Sequence, residues 1–240
     1  MSAKVIFELC AETLDACLAA RDGGADRIEL CSALSEDGLT PSHGFIRAAV
    51  ELSRIPVHVL IRPRGGDFFY SDCEFSIMQQ DVLHARSLGA NGVVLGVLHA
   101  DATVDVERTR QLVELAAPLE VSFHRAFDLT PSLAEALEAV IATRCRRVLT
   151  SGGQPDVVSG AASLRQLVTQ AAGRIAIAAG GGVRLENARQ VVQKSGVGQL
   201  HGSLRRAIPA DPSDSLTRDE MSYIVDPKDI QNMMSLLHES

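Results

Sequence analysis

Glu8 and Cys10 stand two positions apart in the run FELC (7–10), and Glu29 and Cys31 repeat that spacing in IELC (28–31). Alternation along a strand puts each acid on the same face as its thiol. Two such strands side by side lie about 4.8 Å apart. The stagger of a closed sheet shifts them by about a residue, so both thiols can still meet at one rim. Two convergent thiolates suit a soft ion, and copper(I) accepts low coordination where zinc wants four ligands. Free cysteines also serve as small apolar core residues. A disulfide is open geometrically but disfavoured in a reducing compartment. Spacing alone leaves the metal undecided. Cys17 falls on a helix and reads as packing, while Cys73 and Cys145 have no evident partner.

Other polar residues fall on shared faces by the same parity. His58 groups with Arg62 and Arg64, Glu120 with Ser122 and His124, and His201 with Ser203. Strands filled for packing alone would end in Val, Ile or Leu, and buried charges must be paired or used. The structural expectation is an internal ion network in which Arg62 and Arg64 neutralise Glu8 and Glu29. A second signal is rich in glycine. AAGGGV (178–183) leads into a helix whose first amides suit an anion. LTSGG (149–153) and HGS (201–203) add further small residues. Ser151, Gly181, Gly182 and Ser203 therefore form a candidate anion site, against the plainer reading that such glycines only make tight turns.

The elements that must position these residues alternate along the chain. Strand-like runs at 4–9, 27–30, 57–62, 92–98, 120–125, 147–152, 174–180 and 199–204 are each followed by a helix-like stretch, except the last. Eight β-then-α repeats predict a parallel sheet closed by right-handed crossovers, a (β/α)₈ TIM-type barrel in one α/β domain over 1–240. No GxGxxG follows the first strand, which counts against an open dinucleotide-binding sheet. Residues 205–227 read as a polar excursion, and a final helix is expected at 230–238. In such barrels the chemistry lies at the C-terminal ends of the strands. The long loops at 31–44 and 63–74 open there.

Composition narrows the function further. The net charge of −7 and the scattered lysines (Lys4, Lys194, Lys228) argue against nucleic acid, which requires a basic stripe. No apolar run approaches the roughly 20 residues that span a bilayer, and MSAKVIFELC has no signal-peptide layout. Five unpaired-looking cysteines suit a reducing compartment. The expected setting is the cytoplasm, with no membrane partner and a symmetric homodimer as the default assembly.

The runs ADRIELC, GLTPS, IRPRGGDFFYSD, FHRAFD, RVLTSGG and YIVD together resemble the CutC family, historically named copper homeostasis proteins. The resemblance runs from the first strand to the tail. It implies a (β/α)₈ barrel, a cytoplasmic location and copper(I) bound through two cysteines, here Cys10 and Cys31. It also implies a polar cluster at the barrel mouth made of Glu8, Glu29, Arg62, Arg64, Asp67, His124, Arg125, Asp128 and His201. The chain departs from the pattern at Asp37, where relatives often carry glycine, and at His99 and Ala102 in the loop after the fourth strand. Two functions follow. One is a cytosolic copper(I)-binding protein with no organic cofactor. The other is an enzyme on a small phosphorylated or carboxylated substrate, with the glycine-rich loops on one anion, Arg62 and Arg64 clamping a second charge, and His124 or Glu29 moving a proton.

Overall fold

Contacts across the interior show how the sheet closes. Arg147 on the sixth strand reaches Glu8 on the first at 2.7 Å, although these strands are not neighbours. Such a bond must cross the inside of a closed barrel. The computed structural model describes residues 4–208 and 222–238. Its eight parallel strands are β1 (Ile6–Ala11), β2 (Arg27–Leu30), β3 (Val57–Leu60), β4 (Gly92–Leu95), β5 (Glu120–Phe123), β6 (Arg147–Thr150), β7 (Ala176–Gly180) and β8 (Gln199–Gly202). β8 pairs back onto β1, with Glu8 opposite both Arg27 and His201. The (β/α)₈ barrel expected from the alternating pattern is the fold of this chain.

Seven helices connect the strands: α1 (Leu14–Gly23), α2 (His43–Ser53), α3 (Asp72–Ser87), α4 (Val106–Ala116), α5 (Leu133–Thr143), α6 (Ala161–Ala171) and α7 (Leu185–Ser195). Local chemistry sets their ends. The Thr13, Ser42, Asp105 and Ser132 side chains each accept an amide of the first turn, as N-caps do. Ser71 and Glu74 form a reciprocal capping box that fixes the start of α3. Gly24 and Gly196 close α1 and α7 in the left-handed conformation.

The main apolar core lies between sheet and helices, as in other parallel barrels, and takes in Phe7, Leu9, Ile28, Val59, Val93, Phe123 and Val148. A separate small cluster of Cys10, Cys31, Leu60 and Val94 is formed by residues of the opposite parity, from the first four strands. Glycine at inward positions makes room for ring side chains. A Cβ at Gly92 would stand 2.7 Å from the His58 ring, and one at Gly96 would stand 2.5 Å from that of His124.

After β8 the chain forms a feature absent from the sequence reading. β9 (Arg206–Ile208) pairs antiparallel with β10 (Ser222–Ile224) inside what was expected to be an irregular excursion. Residues 209–221 of that excursion lie outside the described residues. The final helix, α8 (Pro227–His238), starts earlier than expected, with proline in its first turn, and packs on α1 and α7. Among the described residues no helix is long and apolar enough to cross a membrane.

Candidate functional site

The interior of the barrel carries a closed ion network near its middle. The Glu8 carboxylate is fully buried and receives Arg147 Nη2 at 2.7 Å, Arg27 Nε at 2.6 Å and His201 Nδ1 at 2.8 Å. Arg147 Nε also donates to Ser122 Oγ at 2.9 Å, and Arg27 Nη2 to Gln199 at 3.0 Å. Burial opposes the charged form, but Arg147, the His201 hydrogen bond and Arg27 prevail and hold Glu8 well below the usual carboxylate range.

This corrects the expected pairing. The cations that neutralise Glu8 are Arg27 and Arg147, not Arg62 and Arg64. Arg64 points to the surface loop, where it binds Glu74 at 2.5 Å and Asp67 at 2.9 Å and stacks over Tyr70. Glu120, expected to share the inward face of Ser122, is largely exposed at the other end of β5. In each case the residue lies too far along the strand, or beyond its end, for parity alone to fix its partner.

Above the network the barrel opens into a cavity of about 410 Å³. Cys10, Glu29, Cys31, Arg62, Phe68, His124, Arg125, Asp128, His201 and Arg205 line it together with a few leucines and Asp37. Cys10 Sγ and Cys31 Sγ lie 3.7 Å apart, and both thiols are free. Ligand atoms of Cys10, Glu29 and His201 fall within 4.8 Å of one another. The hydrogen bond to Cys31, and then burial, push the Cys10 thiol well above its ordinary value, with His201 opposing. Burial lowers His201, but Glu29 and hydrogen bonds to Cys10 and Glu8 overcome it and raise the imidazole well above its ordinary value. Glu29 is raised by burial, and its buried Oε2 has no hydrogen-bond partner; the nearest cationic nitrogen is His201 Nδ1 at 3.9 Å.

The glycine-rich side is arranged differently from the expected anion cradle. A short 3₁₀ turn, Arg125–Leu129, follows β5 and swings Asp128 beneath the LTSGG loop. Asp128 accepts the amides of Ser151 and Gly153 at 3.0 Å each, and the Thr150 hydroxyl as well. Two amides of the LTSGG loop, one of them from the expected anion site, thus hold the protein's own carboxylate. Arg125 pairs with Asp128 at 2.8 Å and donates to Ser151 Oγ at 3.0 Å. Its guanidinium lies against Gly181, where a Cβ would approach within 3.3 Å, so a side chain at Gly181 would crowd the arginine. Gly182 passes its carbonyl to Asn187, and neither it nor Ser203 lines the cavity that holds the thiols. The structure therefore gathers Cys10, Cys31, Glu29, Arg62, His124, Arg125, Asp128 and His201 at one mouth. Glu8 lies beneath it, Arg64 and Asp67 outside it.

Sequence reasoning passed over Arg27, Arg147, Phe68 and Arg205. Arg205 pairs with Glu12 at 2.9 Å and stacks on Tyr223 of β10, 4.2 Å from the ring centre. For Arg27 and Arg147 the signal was present, since RIEL and RVLT open with arginine at the parity of Glu29 and Leu149.

A closed parallel barrel with its polar site at the C-terminal rim belongs to the TIM-barrel class. Its fold is similar to that of thiamine phosphate pyrophosphorylase from Pyrococcus furiosus, with a TM-score of 0.61 over 98% of this chain and 96% of that one. At 16% identity that likeness concerns the fold alone. The family is narrower: the CutC family model matches residues 5–206, and the chain belongs to that family. It is 50% identical over 200 residues to the CutC family protein of Chromobacterium violaceum, covering 83% of this chain and 81% of that protein. It is 47% identical over 205 residues to the one from Mesorhizobium japonicum, covering 85% and 80%. The crystal structure of a Streptococcus agalactiae protein, described as a putative copper homeostasis protein CutC, superposes with a TM-score of 0.79. That match is at 35% identity and covers 83% of this chain and 98% of the other.

Proposed function

We propose that this protein binds copper(I) as cargo at the barrel mouth, with Cys10 and Cys31 as the principal ligands and His201 as the third. The observation that carries this reading is the 3.7 Å separation of the two sulfurs on the wall of an open cavity. With metal–sulfur bonds of about 2.3 Å, that separation corresponds to an S–metal–S angle of roughly 105–110°. Such an angle leaves room for a third donor and is too bent for a two-coordinate ion. The imidazole of His201 and the carboxylate of Glu29 cluster with Cys10 but not with Cys31, so the site must tighten around the ion and His201 must lose a proton to bind it. Imidazole is the softer of the two and the better match to copper(I). The proposed setting is the cytosol, where free thiols persist.

Copper K-edge absorption spectroscopy of the protein loaded anaerobically with one equivalent of copper(I) tests the ligand set. The expected first shell holds two sulfurs and one nitrogen, and the His201→Phe variant loses the nitrogen while keeping both sulfurs. A shell of nitrogen and oxygen without sulfur overturns the proposal.

A further inference from the structure

Two buried hydrogen-bond donors at the mouth have nothing to donate to. Arg62 is 3% exposed, and its terminal nitrogens donate to the carbonyls of Glu36, Gly38 and Gly66, while Nε makes no hydrogen bond; the Tyr70 hydroxyl, close enough to feel the guanidinium, is also left without one. Among the described residues no carboxylate lies within 4.0 Å of its guanidinium, whereas Arg27, Arg64, Arg125, Arg147 and Arg205 each have one. Carbonyls satisfy hydrogen bonds but do not cancel a charge, and a buried unpaired charge is costly.

The second donor is His124, 6% exposed. Its Nδ1 accepts the amide of Ala126 at 3.2 Å, so the ring proton resides on Nε2, and buried Nε2 meets no acceptor. Burial, reinforced by the charge of Arg62, lowers this imidazole to about 3. The ring is therefore a neutral donor at physiological pH. Phe68 touches both groups, with Arg62 Cζ 4.9 Å from its ring centre and the His124 ring 4.7 Å away. Arg62, Phe68 and His124 all line the cavity that holds the thiols. The void at Gly96 is what lets the His124 ring take up this position.

We propose that Arg62 and His124, flanking Phe68, form a binding site for the carboxylate group of a small organic acid. A carboxylate offers two oxygens with one charge between them, which matches two N–H donors of which one side chain is charged. A phosphate group would bring more charge and more acceptor sites than this corner satisfies. Of the backbone amides expected to hold one, those of Ser151 and Gly153 already hold Asp128, and Gly182 and Ser203 do not line this cavity. The organic part of the ligand would face the remaining walls, among them Leu34, Leu60 and Leu129. This site goes beyond the copper reading and does not depend on it.

Acetate is the minimal probe, and metal-free protein is the sample. With ¹⁵N-labelled histidine, the His124 Nε2 signal should shift saturably on adding acetate, with a Kd in the range of roughly 1–10 mM expected for so small an anion. Neutral acetamide, and sodium chloride at matched ionic strength, should leave it unmoved. His124→Phe keeps a ring and removes the donor; Arg62→Lys keeps the charge and removes Nε. Each should weaken acetate binding by about tenfold or more, the loss expected for a charge-assisted hydrogen bond. Binding to the variants is read from the Leu60 methyl signals, and their melting curves establish that they are folded. If Arg62→Lys unfolds, because Arg62 also ties down the neighbouring loops, His124→Phe carries the test. No saturable response up to about 0.1 M acetate, where even a weak site would fill, overturns the proposal. So does an equal response to acetamide or chloride, unchanged affinity in a folded His124→Phe variant, or tighter binding of inorganic phosphate than of acetate.

Discussion

The barrel interior holds two polar layers of opposite character. Around Glu8 every charge has a partner: two arginines and a histidine meet one carboxylate, and Ser122 and Gln199 take up remaining donors. At the mouth, Glu29 Oε2, Arg62 Nε and His124 Nε2 are buried without partners, and two free thiols share a single hydrogen bond; beside the Glu8 layer His58 Nδ1 is likewise unpartnered, but that ring is neutral. A closed network replaces the aliphatic layers usual in such a barrel and serves the fold. Unmet donors and acceptors beside a cavity are a cost to folding that a ligand can relieve. The difference separates the charges that hold the structure from those available for binding.

Substitutions that break this contrast should rank by how much of a network they open. Arg147→Met should have the largest effect on stability, a loss of about 3 kcal/mol or somewhat more in chemical denaturation, because it leaves a buried carboxylate short of a partner. The Glu8 network also has a pH signature. Its folded pKa lies below the ordinary value of 4.5, so its contribution is complete above that value and is lost as pH falls through the folded pKa. Denaturation midpoints measured from pH 7 downward should show this loss in the wild type. Asp128→Ala comes next, at about 1–3 kcal/mol, since it strands the amides of Ser151 and Gly153 and frees Arg125. A melt unchanged by this substitution would mean that solvent replaces the carboxylate without cost. Arg64→Gln should have the smallest effect, within the range of exposed ion pairs, because its contacts lie on a surface loop.

These comparisons also show what the sequence could convey. Strand and helix order was legible because alternating patterns and capping residues such as Ser71 and Ser132 act locally. The pairing of Cys10 with Cys31 was legible too, because it needs only two adjacent strands and their parity. The ion network was not, since Arg147 reaches Glu8 across the barrel and no local rule reports which opposite strand is nearest. Asp128 was pointed out by the family resemblance alone, and its role was hidden for another reason. The short 3₁₀ turn that aims it lies between two clear elements, and its target amides looked like an open anion site. The antiparallel pair of β9 and β10 is built from short segments on either side of a polar stretch, too short for alternation to register.

The proposed ligand site is the mouth and not the closed layer, with the two thiols holding copper(I). Anaerobic competition of the reduced protein against a copper(I) chelator of known affinity tests it most directly. The expected result is one copper(I) per chain, with affinity increasing with pH because Cys10 must lose its proton to bind. Cys10→Ser or Cys31→Ser should weaken that binding by about a hundredfold or more, on the scale of a lost metal ligand. Cys73→Ser and Cys145→Ser, outside the cavity lining, should leave it unchanged. Equal affinity in the wild type and in the Cys10→Ser/Cys31→Ser double variant would rule out copper(I) binding by this thiol pair.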